Sequence, residues 1–264
     1  MKLAFIGGGS MATAIIHGIL SSGFAKASDI NISDRDASKL GAFEKLGINI
    51  YTDNKKAAAD CGLVLLAVKP NAVKSVMSDL SGVCDIENKL IVSIAAGTST
   101  DALEKYIGKN VRIIRVMPNT PALVGEGMAA LCKNSLATER DMKTAVDMFS
   151  TFGKAVEVAE SKMDAVTAVS GSGPAYVYMF IEALADGGVL NGLPRDVAYT
   201  LAAQTVLGAA KTVLETGRHP GSLKDDVCSP GGTTIEAVAS LERNSFRGSV
   251  IEAVNVCAEK SSKL

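Results

Sequence analysis

The sequence predicts a doubly wound α/β domain followed by an all-helical domain, and three observations carry that prediction. Short β-rich runs alternate with helix-length segments through the first 160 residues. A glycine turn directly follows the first of these runs. After Ser161 the strand-like runs stop and only helical periodicity continues. The expected domains are residues 1–160 and residues 161–264, directly apposed, with a ligand crevice between them.

Leu3–Ile6 opens the chain as a strand, and residues 10–21 follow as its helix. Ile30–Ile32, Leu63–Leu66, Leu90–Ile94 and Val111–Val116 are the next strand candidates, and Tyr51 reads as a strand end. Runs around Met128–Leu131 and Ala155–Val158 flank a helix near 138–151 and extend the sheet. Beyond them, segments 174–190, 195–216, 231–243 and 246–261 carry Ala, Leu, Val and Met at helical spacing. Gly187-Gly188, Gly192-Leu193-Pro194, Gly217 to Gly221 and Arg243-Asn244-Ser245 punctuate them. The segments 174–190 and 195–216 are apolar on more than one face, which a helical dimer interface would bury.

Composition narrows the function classes. The chain has 264 residues, 47% of them hydrophobic, enough for a full core. Lys and Arg total 27 against 28 Asp and Glu, and no basic run occurs, so neither nucleic acid nor an anionic membrane surface is expected as a partner. Five scattered cysteines without C-x-x-C spacing point to neither a disulfide framework nor a metal site, and fit a reducing cytoplasm. Residues 2–20 are apolar, but Gly7-Gly8-Gly9-Ser10 breaks the run, which reads as strand, turn and helix rather than a signal peptide. No other run reads as long and apolar enough to span a bilayer, so a soluble, cytoplasmic protein is expected.

Gly7-x-Gly9-x-x-Ala12 stands between the first strand and its helix, the context of a Rossmann-like dinucleotide fingerprint. Gly7 makes the turn, Gly9 admits a pyrophosphate, and Ala12 lets helix pack closely on sheet. At the end of the second strand, Asp34 would accept from a ribose 2′-hydroxyl and favour NAD, whereas Arg35 would pair with a 2′-phosphate and favour NADP. The position of Arg35 immediately after the strand leads to NADP(H) as the preferred cofactor, with NAD(H) as the alternative. Ala67-Val68-Lys69-Pro70 and Ala95-Ala96-Gly97 follow later strands and should face the cofactor. Met117-Pro118-Asn119-Thr120-Pro121 does the same, its prolines making Asn119 and Thr120 a rigid wall near the nicotinamide.

A second anion site is expected at Cys228-Ser229-Pro230-Gly231-Gly232-Thr233-Thr234. Here Pro230 fits a first-turn helical position, and the glycines open backbone N–H groups to a carboxylate or phosphate. Thr234 adds a hydroxyl beside those donors. The only histidines, His17 and His219, lie on the first helix and before a proline, and neither reads as catalytic. Tyr51 and Lys55 have a reductase-like spacing, but the Asp53-Asn54 turn separates them. A carbonyl reductase usually needs a strong proton donor for the developing alkoxide. A protonated imine accepts hydride without one, so an anion cradle, a nicotinamide site and a missing acid point together to an imino acid.

These segments closely resemble the Δ1-pyrroline-5-carboxylate reductases of proline biosynthesis. The likeness runs from Phe5–Ala12 through Ala67–Pro70, Val92–Gly97, Met117–Pro121 and Ser170–Tyr176 to His219-Pro220-Gly221 and Val227–Thr234. The resemblance implies NAD(P)H-dependent reduction of L-1-pyrroline-5-carboxylate to L-proline. It implies cofactor contacts at Gly7, Gly8, Gly9, Ser10, Met11, Ala12, Asp34, Arg35, Asn54, Ala67, Val68, Lys69, Pro70, Ala95, Ala96 and Gly97. It places the substrate carboxylate at Ser229, Gly232, Thr233 and Thr234, the catalytic Thr234 hydroxyl near the ring nitrogen, and Glu160 and Asp226 near the ligands. It further implies a homodimer formed through the helical domains, and rings of such dimers. A 3-hydroxyacid dehydrogenase would present a lysine after the domain junction, and Tyr176–Gly188 has none. A non-catalytic NADP sensor would not need the Ser229–Thr234 cradle.

Overall fold

The computed structural model describes residues 1–263. Eight strands form one sheet: β1 (Leu3–Ile6), β2 (Ile30–Ser33), β3 (Asn49–Tyr51), β4 (Leu63–Leu66), β5 (Leu90–Ser93), β6 (Arg112–Met117), β7 (Gly127–Lys133) and β8 (Gly153–Glu157). The helices are α1 (Ser10–Ser22), α2 (Gly41–Lys45), α3 (Asn54–Ala58), α4 (Pro70–Leu80), α5 (Thr100–Ile107), α6 (Glu139–Phe149), α7 (Met163–Val166), α8 (Gly173–Leu190), α9 (Arg195–Thr216), α10 (Pro220–Val227), α11 (Thr233–Arg243) and α12 (Phe246–Ser261). The chain forms two compact units, Met1–Ser172 together with the residues from Cys257 on, and Gly173–Val256.

In the first unit the strand order is β3-β2-β1-β4-β5-β6-β7-β8, parallel throughout except between β6 and β7. The order reverses between β1 and β4, and ligands bind such sheets outside the carboxyl ends of the strands at that point. β1, β2, β4 and β5 are buried along their whole length, as strands covered on both faces must be. On one face Ile15, Ile16, Phe43, Met142 and Phe149 from α1, α2 and α6 cover the sheet. On the other, Ala57, Val73, Met77, Leu103 and Ile107 from α3, α4 and α5 do so.

Local chemistry sets the helix starts. Pro70 sits in the first turn of α4, Ser99 Oγ accepts from Ala102 N–H at the head of α5, and Thr138 and Asp141 form a reciprocal capping box on α6. Burial raises the Cys61 thiol to about 11 and the Cys132 thiol to about 12, so both are inert core side chains.

The first unit runs past residue 160. Met163 of α7 packs with Ala130 and Cys132 of β7, and a π-helical turn follows over Thr167–Gly171. The end of the chain returns to the same place: Ser261 Oγ donates to Asp164 Oδ1 at 2.7 Å, and the Cys257 thiol lies 3.2 Å from Ser172 Oγ.

In the second unit α8 and α9 pack through Ile181, Ala185 and Val189 against Ala198 and Ala202. The segment read as punctuation near His219 is in fact the start of α10, with Pro220 in its first turn and His219 Nδ1 accepting from Gly221 N–H at 3.0 Å. α9 also corrects the expectation that no run is long and apolar enough to cross a bilayer: its 22 residues reach a mean hydropathy of 1.2 over an 18-residue window. Tyr178, Met179, Leu190, Leu201, Leu207 and Leu214 are exposed on this pair of helices.

Candidate functional site

The loops at the carboxyl edge of the sheet are placed by the sheet's own hydrogen bonding. Gly7 N–H donates to Ser33 O at 2.7 Å, Ala67 N–H to Ile6 O at 2.8 Å, and Ile94 N–H to Leu66 O at 3.1 Å. The ladder thus runs one residue into each loop before the chain turns away. Gly7 has a φ of 107°, and a Cβ there would stand 2.4 Å from Ala67 O, so the turn after β1 touches the loop after β4 and admits only glycine. A Cβ on Gly9 would meet nothing within 4 Å. Gly9 caps α1 without a side-chain acceptor, leaving the first-turn N–H groups from Ser10 to Ala12 without a capping side chain. Ala12 is fully buried and Met11 packs beside it on the core. This donor set suits the pyrophosphate of a dinucleotide.

At the end of β2, Asp34 is bonded to the chain itself. Its Oδ2 accepts from Gly8 N–H at 2.9 Å and its Oδ1 from Asp36 N–H at 2.9 Å, so the carboxylate braces the glycine turn. Arg35 is exposed and pairs with no carboxylate among the described residues. Asn54, in the first turn of α3, accepts from Ser33 Oγ at 2.7 Å and donates to Asp79 Oδ2 at 3.3 Å, which fixes its amide. A cleft of about 520 Å³ adjoins the turn, lined by Gly8, Gly9, Ser10, Thr13, His17, Lys39, Ala42, Phe43 and Leu46.

Farther along the edge, Val68 is half-buried, Lys69 and Pro70 are exposed where α4 begins, and Ala95 is buried beside the half-buried Ala96. Gly97 turns with a φ of 71°. Asn119 is buried and committed: its amide donates to Ser170 O at 3.0 Å and its carbonyl accepts from Met128 N–H at 2.8 Å. It therefore ties β6, β7 and the π-helical turn together, while Thr120 remains exposed.

Glu160 is likewise engaged within the first unit. Oε1 accepts from Thr100 N–H at 2.8 Å and from Arg115 at 3.2 Å, and Oε2 accepts from the Thr100 hydroxyl at 2.6 Å. Burial works to raise its pKa, but the Thr100 hydroxyl and N–H and the Arg115 guanidinium outweigh it and hold the carboxyl below the usual carboxylate range.

In the second unit, Ser229–Gly232 is a β-turn closed by Gly232 N–H to Ser229 O at 3.0 Å, with Gly231 at a φ of 67°. Pro230 occupies the second position of this turn, ahead of α11 rather than in its first helical turn, because Pro followed by a positive-φ glycine suits a type II turn. A Cβ on Gly232 would lie 2.3 Å from Ser229 Oγ, so the serine hydroxyl rests against the turn. Gly232 caps α11 without a side-chain acceptor, and Thr233 and Thr234 occupy the uncapped first turn, Thr234 half-buried. Asp226 pairs with Arg218 at 2.7 Å across α10, on the surface of the described chain.

Several contributors escaped the sequence reading: Ser33 and Asp79 behind Asn54, Arg115 and Thr100 around Glu160, and Lys39 and Phe43 in the cleft. Only Lys39 had a signal, a cation close after the second strand.

Comparison with known proteins agrees with this geometry. Residues 160–264 match a family model described as pyrroline-5-carboxylate reductase dimerisation, and residues 2–97 match one described as NADP oxidoreductase, coenzyme F420-dependent. The pyrroline-5-carboxylate reductase of Escherichia coli K12 is 47% identical over 264 residues, covering 100% of this chain and 98% of that protein. That of Glycine max is 47% identical, covering 99% of this chain and 95% of that protein. Among solved structures, a pyrroline-5-carboxylate reductase from Coxiella burnetii superposes with a TM-score of 0.94 at 35% identity, covering 99% of this chain and 97% of the other. The Plasmodium falciparum enzyme with NADP bound gives 0.89 at 38% identity, covering 100% and 97%. Identity of this order along the full length of both chains leaves one conclusion: the chain belongs to the pyrroline-5-carboxylate reductase family.

Proposed function

We propose that the chain reduces L-1-pyrroline-5-carboxylate to L-proline with NADPH, the last step of proline biosynthesis, with NADH as the alternative donor. The observation that carries this reading is the pair of uncapped glycine-led helix starts, at Gly9 in the first unit and Gly232 in the second. The first suits a pyrophosphate and the second a carboxylate. When bound, the nicotinamide supplies the hydride.

The chain's own groups bind and orient. Ser229 and the N–H groups of Gly232, Thr233 and Thr234 hold the substrate carboxylate, and the Thr234 hydroxyl orients the ring nitrogen. The substrate imine, once protonated, is already electrophilic, so a weak hydroxyl suffices where a carbonyl would need an acid. Gly7 to Ala12, Asn54, Ala67 to Pro70 and Ala95 to Gly97 form the cofactor side, with Asn119 and Thr120 as its wall. Arg35 reads the 2′-phosphate, its exposed and unpaired guanidinium supporting that assignment. Glu160 and Asp226 act near the ligands by holding Thr100 and Arg218 in place, which their present bonds support.

The exposed apolar residues of α8 and α9 support a homodimer built on residues 161–264, with residues 1–160 as the nucleotide domain, and rings of dimers beyond it. A cytoplasmic enzyme is the fitting context for its free cysteines. Absorbance of the reduced nicotinamide tests the function directly. Pyrroline-5-carboxylate should deplete NADPH faster than NADH, with proline as product, and absence of turnover with both would overturn the reading.

A further inference from the structure

The end of β2 presents opposed charges: Asp34 and Asp36 against Arg35 and Lys39. Both carboxylates have structural work, since Asp34 braces the glycine turn and Asp36 accepts from Ser38 N–H at 3.1 Å and Ser38 Oγ at 2.6 Å. Lys39 has none. Its Nζ lies 3.8 Å from Asp34 Oδ1 and 3.9 Å from Asp36 Oδ2, beyond hydrogen-bond reach, and its side chain is 50% exposed. Ion pairs that long, made by a half-exposed lysine, are weak, so little opposes its movement toward another anion. Lys39 also lines the same cleft as Gly8, Gly9 and Ser10, where the first turn of α1 offers its free N–H groups.

We infer that Lys39 is a second cation, beside Arg35, for the 2′-phosphate of the adenosine end of the cofactor, and that it helps set the preference for NADPH. The inference rests on the dinucleotide reading of the glycine turn. The three unused donors of Lys39, on a flexible four-carbon stem, swing from the two carboxylates to the phosphate. Asp34 stays on Gly8 N–H and so holds the turn in place while the cations move. This resolves the opposed signals of Asp34 and Arg35: the acid shapes the turn, and the two bases read the ligand.

The test is calorimetric titration of the full chain with adenosine 2′,5′-bisphosphate and, as the control lacking the 2′-phosphate, with AMP. Lys39→Gln should weaken the bisphosphate about tenfold, the loss of one charge-assisted contact, and leave AMP within about twofold. The salt dependence of bisphosphate binding should flatten, and Lys39→Arg should restore most of the affinity. Arg35→Gln serves as the comparison for a single lost cation. Bisphosphate affinity unchanged in Lys39→Gln, with AMP binding intact, overturns the role of Lys39 alone. Wild-type protein that binds the bisphosphate no more tightly than AMP overturns the NADPH preference as well, and protein that binds neither overturns the dinucleotide reading itself.

Discussion

Glu160 takes both donors of a single residue: one carboxylate oxygen accepts the N–H of Thr100 at 2.8 Å and the other accepts its hydroxyl at 2.6 Å. Thr100 begins α5, directly after the loop that holds Ala95 to Gly97, and Arg115 completes the set from β6. One side chain thereby fixes the head of a helix, a neighbouring strand and the segment leading to α7.

Glu160→Gln should lower stability by about 1–2 kcal/mol, since a charge-assisted bond to Arg115 is lost while the shape is kept. Glu160→Ala should cost about 2–4 kcal/mol, because it also leaves the largely buried Arg115 without its counter-charge. The folded carboxyl titrates below its unfolded value, so its contribution is complete above the unfolded carboxylate pKa of about 4.3 and is lost as pH falls through the folded pKa. Denaturation midpoints should show wild type and Glu160→Gln separated at pH 7 and converging on acidification. A gap that persists unchanged under acid would contradict the assignment.

The two glycines of the first turn should fail differently. Gly7→Ala places a methyl 2.4 Å from Ala67 O at a φ of 107°, and about 1–3 kcal/mol of stability should go with the backbone conformation alone. Gly9→Ala meets nothing, so its stability should fall by less than about 1 kcal/mol while NADPH affinity drops severely. Thermal melts with and without NADPH distinguish the two. Equal loss of stability in both variants is the result that would count against this division.

Thr234→Val removes a hydroxyl at nearly constant shape. Losing a hydrogen bond to a charged or charge-developing group costs about 1.5–3 kcal/mol, so kcat/KM should fall roughly tenfold to a hundredfold. NADPH binding should be almost unchanged, and a proline-like carboxylate inhibitor should still bind, more weakly. Wild-type kcat/KM in this variant, or a matching loss of NADPH affinity, removes Thr234 from the imine.

Leu207 is 52% exposed on α9, so Leu207→Glu should leave the single chain folded but separate it from a second copy. Sedimentation should show a dimer or larger assembly for wild type and a lighter, less stable species for the variant. Wild type sedimenting as a monomer at micromolar concentration would refute a dimer interface there.

The parts of this molecule that were legible in the sequence are those whose cause is local or periodic. The buried parallel strands β1 and β4 are apolar along their length, and a glycine turn between strand and helix announces itself at Gly7 and Gly9. Asn49–Tyr51 is short and lies at the sheet edge, where half-exposure weakens the apolar signal. Pro230 suits both a helix start and a type II turn, and only the positive φ of Gly231 decides between them. Asp34, Asn119 and Glu160 have partners 26, 51 and 60 residues away, respectively. Asp34 and Asn119 were read as ligand contacts from their places after strands and Glu160 from the family resemblance, and only the folded chain reveals what each does for the scaffold.

The meeting of Ser172 and Cys257 makes Gly173–Val256 an insert whose entrance and exit stand side by side in the first unit. The nucleotide unit therefore cannot be completed during synthesis until its last few residues emerge. The same closure makes the insert removable in principle, because a short glycine linker from Ser172 to Cys257 has almost no distance to span. A shortened gene of that kind offers a route to a small stand-alone nucleotide binder, freed of the exposed apolar residues of α8 and α9.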